Sequence, residues 1–498
     1  MTPLFVIAVF AIFAANAWLH MRNLGLPFDL DSYDEGVYWQ SLRAMSAGHL
    51  LYRDIFYSQP PFFLFSFFPT YLLAGQTLWA ARLGALVISL CGLLGAFLLG
   101  RALTGRVGAL AALLLLAVNS QYFEFSMKIQ ADGAVASLML LAVALAYLWW
   151  EQPAGLAGIC LASLSGGVLA LALLTKLFAL AALVPVGLLA LAHLWRVLRQ
   201  KPAQLFARSG SLLAGVATFV VAGMAVLLPF AGAAGELLRD VVTFHLAADP
   251  AGSHGLADIL AGNLANNRPA ITSILNTFMP LAALCGTVVA LLRRDWRVLS
   301  LLAWLVATVV LLARQNPLFP HHFVILAPPL VALTVVGIGR IELARARRSA
   351  VLFSTVMMVV VILAVSSWNL WETRAYLRSL NGQNQSPETQ QNLRVANDLR
   401  QALAAGEYVI TDAQFIAGLA DRSTPPELVD TSAVRIDAGY LNSAQLIRAA
   451  SQPQVRAVLF YSGRFNKPQL AAFHTWVAQH YRLLHDYGGG RTLWSKIE

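Results

Sequence analysis

Apolar stretches long enough to cross about 30 Å of hydrocarbon, or close to it, recur at residues 3–20, 80–100, 107–121, 132–150, 155–174, 177–195, 211–231, 271–292, 297–313, 322–340 and 349–368. In lipid every backbone polar group must be satisfied inside the chain, so each stretch reads as a helix. The expected fold is a polytopic α-helical membrane protein with about 11 transmembrane helices. Composition agrees, because 58% of the residues are hydrophobic and 12% charged, where a soluble domain has about 25% charged. Residues 155–195 are almost continuously apolar and divide at Thr175-Lys176. Residues 62–74 are apolar but short and contain Pro69, which suits a helix at the membrane interface. The first stretch has no basic segment before it and no small-residue cleavage site after it, so it reads as a retained anchor.

A formal charge of +10 often points to nucleic acid, but the position of the charge decides otherwise. Arg101/Arg106, Arg196/Arg199/Lys201/Arg208, Arg293/Arg294/Arg297 and Arg340/Arg345/Arg347/Arg348 fall in short loops between apolar runs. Basic loops stay in the cytoplasm. That places the N-terminus inside, and residues 29–61, the 231–270 loop and everything after about residue 370 outside, as expected of a multi-pass protein of the cell membrane. No nucleic-acid partner is implied. Cys91, Cys160 and Cys285 lie within apolar runs without metal-ligand spacing, so neither a disulfide nor a cysteine metal site is expected.

The first outer segment, residues 29–61, carries its own local order. Ser32 and Glu35 form a capping-box pattern and Gly48 a stop, which predicts a helix over 33–47. Tyr38, Leu42 and Met45 share one side of it, as in a helix lying on a membrane surface. Pro60-Pro61 closes the segment. At the other end the composition turns polar after about residue 380, and residues 385–498 read as a small extracytoplasmic α/β domain following a membrane domain of residues 1–370. Ser386-Pro387 opens a helix there. Strands are expected at 408–411 and 455–461, helices near 443–451 and 468–480, and a turn at Gly488-Gly489-Gly490 between two last strands. No phosphate-cradling glycine motif opens any of these helices, which favours a packing or recognition appendage.

The ionisable residues outside the basic loops and the tail gather on the outer side: Asp29, Asp31, Asp34, Glu35, Arg53 and Asp54; then Glu124, Lys128 and Asp132; Lys176; Arg239, Asp240, His245, Asp249, His254, Asp258 and Arg268; and Arg314, His321 and His322. Such groups at a membrane face are costly unless they line a wet site. Each has a structural alternative. Glu35 can serve only as the cap partner of Ser32. Asp34 suits the helix dipole, which would lower its pKa and weaken it as a base. Lys128 and Lys176 can snorkel from helix ends, and adjacent histidines at 321–322 are not ligand spacing by themselves.

The order "DSYDEGVYWQS…YRDIFYSQPPFF", "MKIQADGAVASLMLL", "LTKLFALAALVPV" and "NPLFPHHFVILAPPL" resembles the GT-C glycosyltransferases of the protein O-mannosyltransferase and lipid A aminoarabinose transferase families, over about residues 1–370. The tail resembles the extracytoplasmic domain of bacterial relatives. The resemblance implies a GT-C fold and inverting transfer of a sugar from a polyprenyl-phosphate donor to a hydroxyl acceptor on a lipid, glycan or protein. It maps the catalytic base to Asp34, with Glu35 beside it, and the donor-phosphate contacts to Lys128 and Lys176. Tyr52, Arg53, Gln59, Asp132, His245, His321 and His322 are further candidates around the same site. The aminoarabinose transferases carry Glu-Lys before the double proline, where this chain has Ser58-Gln59. That departure removes one metal ligand and one phosphate-binding cation. No metal is therefore assigned, and His245 is the residue left as a candidate ligand for a divalent ion. The alternatives are a transporter or flippase of a lipid-linked sugar, for which broken, repeat-related helices are the mark, and a non-catalytic scaffold.

Overall fold

A computed structural model describes residues 3–27, 33–200, 205–248, 255–339 and 349–497. The expected capping residue Ser32, together with Asp29, Asp31, Lys201, Asp249, His254 and the Arg340–Arg348 cluster, lies outside the described residues. Among the described residues, 8 helices are long and apolar enough to span a membrane, or 9 if Arg268–Asn276 and Met279–Leu292, bent by 55°, form one span. The count differs from the expected eleven at two places. First, the runs at 80–100 and 107–121 fall within one helical element, Leu78–Ala117, broken at non-helical Thr104 and at Gly105 with a positive φ of 79°; they are two legs and not one span. In a straight helix residues 100 and 112 would stand about 18 Å apart. Instead a Cβ on Gly100 would meet the Gly108 carbonyl at 2.1 Å and the Ala112 Cβ at 2.9 Å. The chain therefore doubles back at Thr104-Gly105 into a hairpin of two legs, and only Gly at 100 and 108 allows their backbones so close. Second, the run at 322–340 begins as a 3₁₀ turn, Pro320–Leu326, before the short helix Ala327–Val336.

The break at Thr175-Lys176 separates Gly155–Leu173 from Leu180–Gln200, as expected. Phe62–Leu73 is a short apolar helix with Pro69 inside it. The helix expected over 33–47 spans Tyr33–Ser46, and Gly48 follows with φ of 92°. It does not lie open on a membrane surface. Residues Glu35 to Leu42 are buried without interruption, because the helix is sandwiched between the membrane helices and the tail. Tyr38 packs edge-on against Phe63 at 4.8 Å, and Trp39 against Phe415 of the tail at 5.7 Å.

The last long helix, Ser349–Asn384, continues past the end of its apolar run and delivers the chain to the tail. Ser386 caps the next helix, Pro387–Ala402, accepting the Thr389 N–H at 3.1 Å. Four strands follow: β1 (Tyr408–Thr411), β2 (Val455–Phe460), β3 (Tyr481–Asp486) and β4 (Thr492–Lys496), in the order β1-β2-β4-β3. β1 and β2 are parallel, while β4 runs antiparallel to β2 and to β3. The sheet is covered on both faces. Leu399, Val409, Leu459 and Leu493 build one core, and Ile410, Leu446, Val458 and Phe473 the other.

Candidate active site

Four connections meet at one end of the membrane bundle. Asp34 comes from the first turn of Tyr33–Ser46, Asp132 from the first turn of Ala131–Glu151, Lys176 from the break before Leu177, and His321 and His322 from the 3₁₀ turn. The Lys176 ammonium donates to both oxygens of Asp132, at 2.9 and 2.8 Å. His321 Nε2 stands between the two aspartates, 3.7 Å from Asp34 Oδ2 and 3.9 Å from Asp132 Oδ2. An acid–imidazole–acid–ammonium row is the result. Lys128 lies within electrostatic reach of His321 and donates to Glu124 Oε1 at 3.0 Å, its ammonium 5.4 Å from the centre of the Phe125 ring.

The Asp34 side chain keeps 39% of its surface exposed. The protein packed around it nevertheless pushes its carboxyl pKa upward, with His321 and Lys176 pulling it partly back. The direction is opposite to the one expected from the helix dipole, and desolvation is its largest cause. A carboxylate raised in this way is the stronger base.

Glu35, one residue on, has a different environment. Its oxygens accept from Arg82 Nε at 2.8 Å and Arg82 Nη2 at 2.6 Å, and Oε1 also accepts the Ile129 N–H at 3.0 Å. Both side chains of the pair are 0% exposed. Arg82 donates further to the Leu24 and Leu26 carbonyls. Glu35 thus ties the helix that bears Asp34 to Leu78–Ala117 and to the segment before Ala131–Glu151. Sequence reasoning missed Arg82, which sits in the apolar run 80–100; a lone arginine in such a run is the signal that marks it.

Other candidates stand apart. Tyr52, with φ of 69°, donates its hydroxyl to the Gln59 carbonyl at 2.7 Å and shapes the loop between them. Arg53 is an exposed partner of Asp54, which its hydrogen bonds hold down to about 2. His245 Nε2 lies 2.8 Å from the Ser58 carbonyl. It does not join the one cluster that has ligand geometry among the described residues. That cluster is Asp132, His321 and His322, whose ligand atoms all lie within 4.8 Å of one another. Its donors suit a borderline divalent ion, but Lys176 already holds both Asp132 oxygens and the Phe319 N–H bonds His322 Nδ1 at 3.2 Å. An ion would have to displace the ammonium, so the residues do not fit a resident metal as they stand.

The helix layout, with an acidic first connecting segment packed beneath a small α/β tail, is a fold shared with solved membrane glycosyltransferases of the GT-C type. The family model for dolichyl-phosphate-mannose-protein mannosyltransferase matches residues 6–236. Along its whole length the chain is similar to ArnT from Cupriavidus metallidurans bound to undecaprenyl phosphate, with 15% identity and a TM-score of 0.69, covering 100% of this chain and 99% of that one. The apo state of the same protein gives 16% identity and 0.64, covering 99% and 97%. The arabinofuranosyltransferase AftD from Mycobacteria gives 14% and 0.52, covering 98% of this chain and 40% of that one. Comparison with curated proteins by sequence finds no match.

Proposed function

We propose that this chain transfers a sugar from a polyprenyl-phosphate donor to a hydroxyl acceptor at the extracytoplasmic face of the membrane, with inversion at the anomeric carbon. The observation that carries the reading is the row Asp34–His321–Asp132–Lys176, a base and a cation held together at the ends of the membrane helices. The fold and the family model support the glycosyltransferase class, and the undecaprenyl phosphate bound to the similar ArnT supports the donor class.

An acceptor hydroxyl is a poor nucleophile. Asp34 removes its proton as the oxygen attacks the anomeric carbon, and the bond to the lipid phosphate breaks on the opposite side. The leaving phosphate needs a fixed cation and no proton. Lys176 provides it: Asp132 fixes the ammonium in place, and three N–H donors leave capacity for a phosphate oxygen. Lys128 adds charge from the second outer segment. A membrane-level site suits a lipid carrier whose phosphate lies among the headgroups.

The test is incubation of the purified protein with a panel of radiolabelled polyprenyl-phosphate sugars, reading release of lipid phosphate in the parent and in Lys176→Met. Release by the parent and its loss in the variant is expected. A parent inert toward every donor, or a variant as active as the parent, overturns the reading.

A further inference from the structure

The tail carries a cavity of about 260 Å³ whose walls include Tyr33, Glu388, Gln414, Tyr461, Arg464 and Arg491. Its place in the fold is telling. Residues after β1 and after β2 form its rim, and in an open α/β sheet the crevice beyond the carboxyl ends of parallel strands is where ligands bind. β1 and β2 are the parallel pair of this sheet. The loop after β2 is fixed rather than loose. Asp412, fully buried, accepts the Tyr461 N–H at 2.8 Å, the Ser462 N–H at 3.1 Å and the Phe465 N–H at 3.2 Å. That clamp sets the direction of Arg464.

The charge of the crevice is cationic. The Arg464 guanidinium stacks 4.0 Å over the Tyr33 ring and has only a long contact to the Asp412 carbonyl, at 3.4 Å; it forms no ion pair among the described residues. The Arg491 guanidinium stacks 4.8 Å over Tyr461, and its nearest acid, Glu388, is 4.0 Å away and 65% exposed. Two arginines laid on tyrosine faces make a surface for an anion attached to a ring, since guanidinium forks match phosphate and carboxylate. One wall, Tyr33, is the residue before Asp34 in the helix Tyr33–Ser46.

We infer that this crevice is an acceptor subsite for an anionic saccharide, with Arg464 and Arg491 holding its phosphate or carboxylate so that a hydroxyl is presented toward Asp34. The inference rests on the proposed transferase reading and adds the class of acceptor. It also gives the tail a role in substrate selection.

The test is a binding titration of the full-length protein in detergent with glucose 6-phosphate, glucuronate and glucose. Both anionic probes should bind at least about 10-fold more tightly than glucose, as charge-assisted contacts require. Arg464→Gln and Arg491→Gln should each lose about 10-fold for the anionic probes, and Arg464→Lys should recover part of the loss. Thermal melts of the variants separate lost binding from lost folding. Lys128→Met and Lys176→Met should leave these titrations unchanged, since those lysines face the donor. Equal binding of glucose and the anions, or anion binding that vanishes with Lys176 and persists without Arg464 and Arg491, overturns the subsite. The two readings fail separately. A protein that releases lipid phosphate from no donor yet binds the anions through Arg464 and Arg491 loses the transferase reading and keeps the crevice. One that transfers sugar with the acceptor KM unchanged in both arginine variants loses the crevice alone.

Discussion

Asp34 and Glu35 are adjacent acids with opposite environments, and the difference separates a reacting group from a supporting one. Asp34→Asn preserves shape and cannot take a proton, so turnover should fall about 10²- to 10⁴-fold while donor binding persists. Because burial raises the Asp34 pKa, the acid limb of kcat/KM should lie above the ordinary carboxylate value of about 3.9, with the rate rising as the base is deprotonated. The linkage runs the same way. A carboxyl raised in the folded state adds stability only while protonated, and that contribution is lost as pH rises through the folded pKa. Asp34→Asn should therefore be no less stable than the parent near neutral pH. Glu35→Gln should behave in reverse: removing the acid takes the opposite charge away from the buried Arg82 guanidinium, a cost of about 3–5 kcal/mol. Its melting temperature should drop, and an inactive but fully stable Glu35→Gln would show that Glu35 reacts rather than supports. Composition marks the acids, but the sequence does not show which of them has a buried guanidinium behind it. That depends on Arg82, 47 residues away, reaching Glu35 across the bundle.

At the level of elements, most of the tail was legible. The Ser386 cap, the 443–451 helix, and the turn at Gly488–Gly490 with positive φ at each glycine all follow from local chemistry. The buried surface of Tyr33–Ser46 was not, because an amphipathic period reports that one side is apolar and says nothing of what covers the other. What covers it is the helix Gln414–Leu419. A Cβ on Gly36 would meet the Phe415 N at 2.4 Å, and one on Gly418 would meet the Trp39 ring at 2.5 Å. Gln40 donates to the Arg422 carbonyl at 3.0 Å, and Arg43 to Asp421 at 2.8 Å. Gly36→Leu should therefore push the tail off the helix that bears Asp34, at a cost of about 1–3 kcal/mol for the overpacked contact. Limited proteolysis should then cut near residues 403–407 faster than in the parent, with activity falling in step. Unchanged proteolysis and activity would mean that the contact is not a fixed dock. The hairpin at Thr104-Gly105 was equally out of reach, since hydropathy places the two legs but not the closeness of Gly100 to Gly108.

For the whole molecule, the sidedness read from charge has a geometric counterpart. The segments assigned to one side, around residues 34, 132, 176 and 321, converge in space. The segments assigned to the other side converge as well: Tyr147 donates to the Arg297 carbonyl at 3.2 Å, Arg297 to the Ala102 carbonyl at 3.4 Å, and Arg293 Nη1 to the Gly337 carbonyl at 3.2 Å. Alternation fixes which segments share a side, and the arginines decide which side is the cytoplasm. Arg293, Arg294 and Arg297 belong to the second group, so the first group, with Asp34 and the tail, should face outward. Exposed Ala444 in the tail and exposed Gln152 at the end of Ala131–Glu151 make a matched pair of probes. In intact cells an impermeant thiol reagent should label Ala444→Cys and spare Gln152→Cys, which should react only after lysis. Labelling of Gln152→Cys with protection of Ala444→Cys would invert the protein in the membrane and place Asp34 where nucleotide sugars are available, removing the reason for a lipid-carried donor.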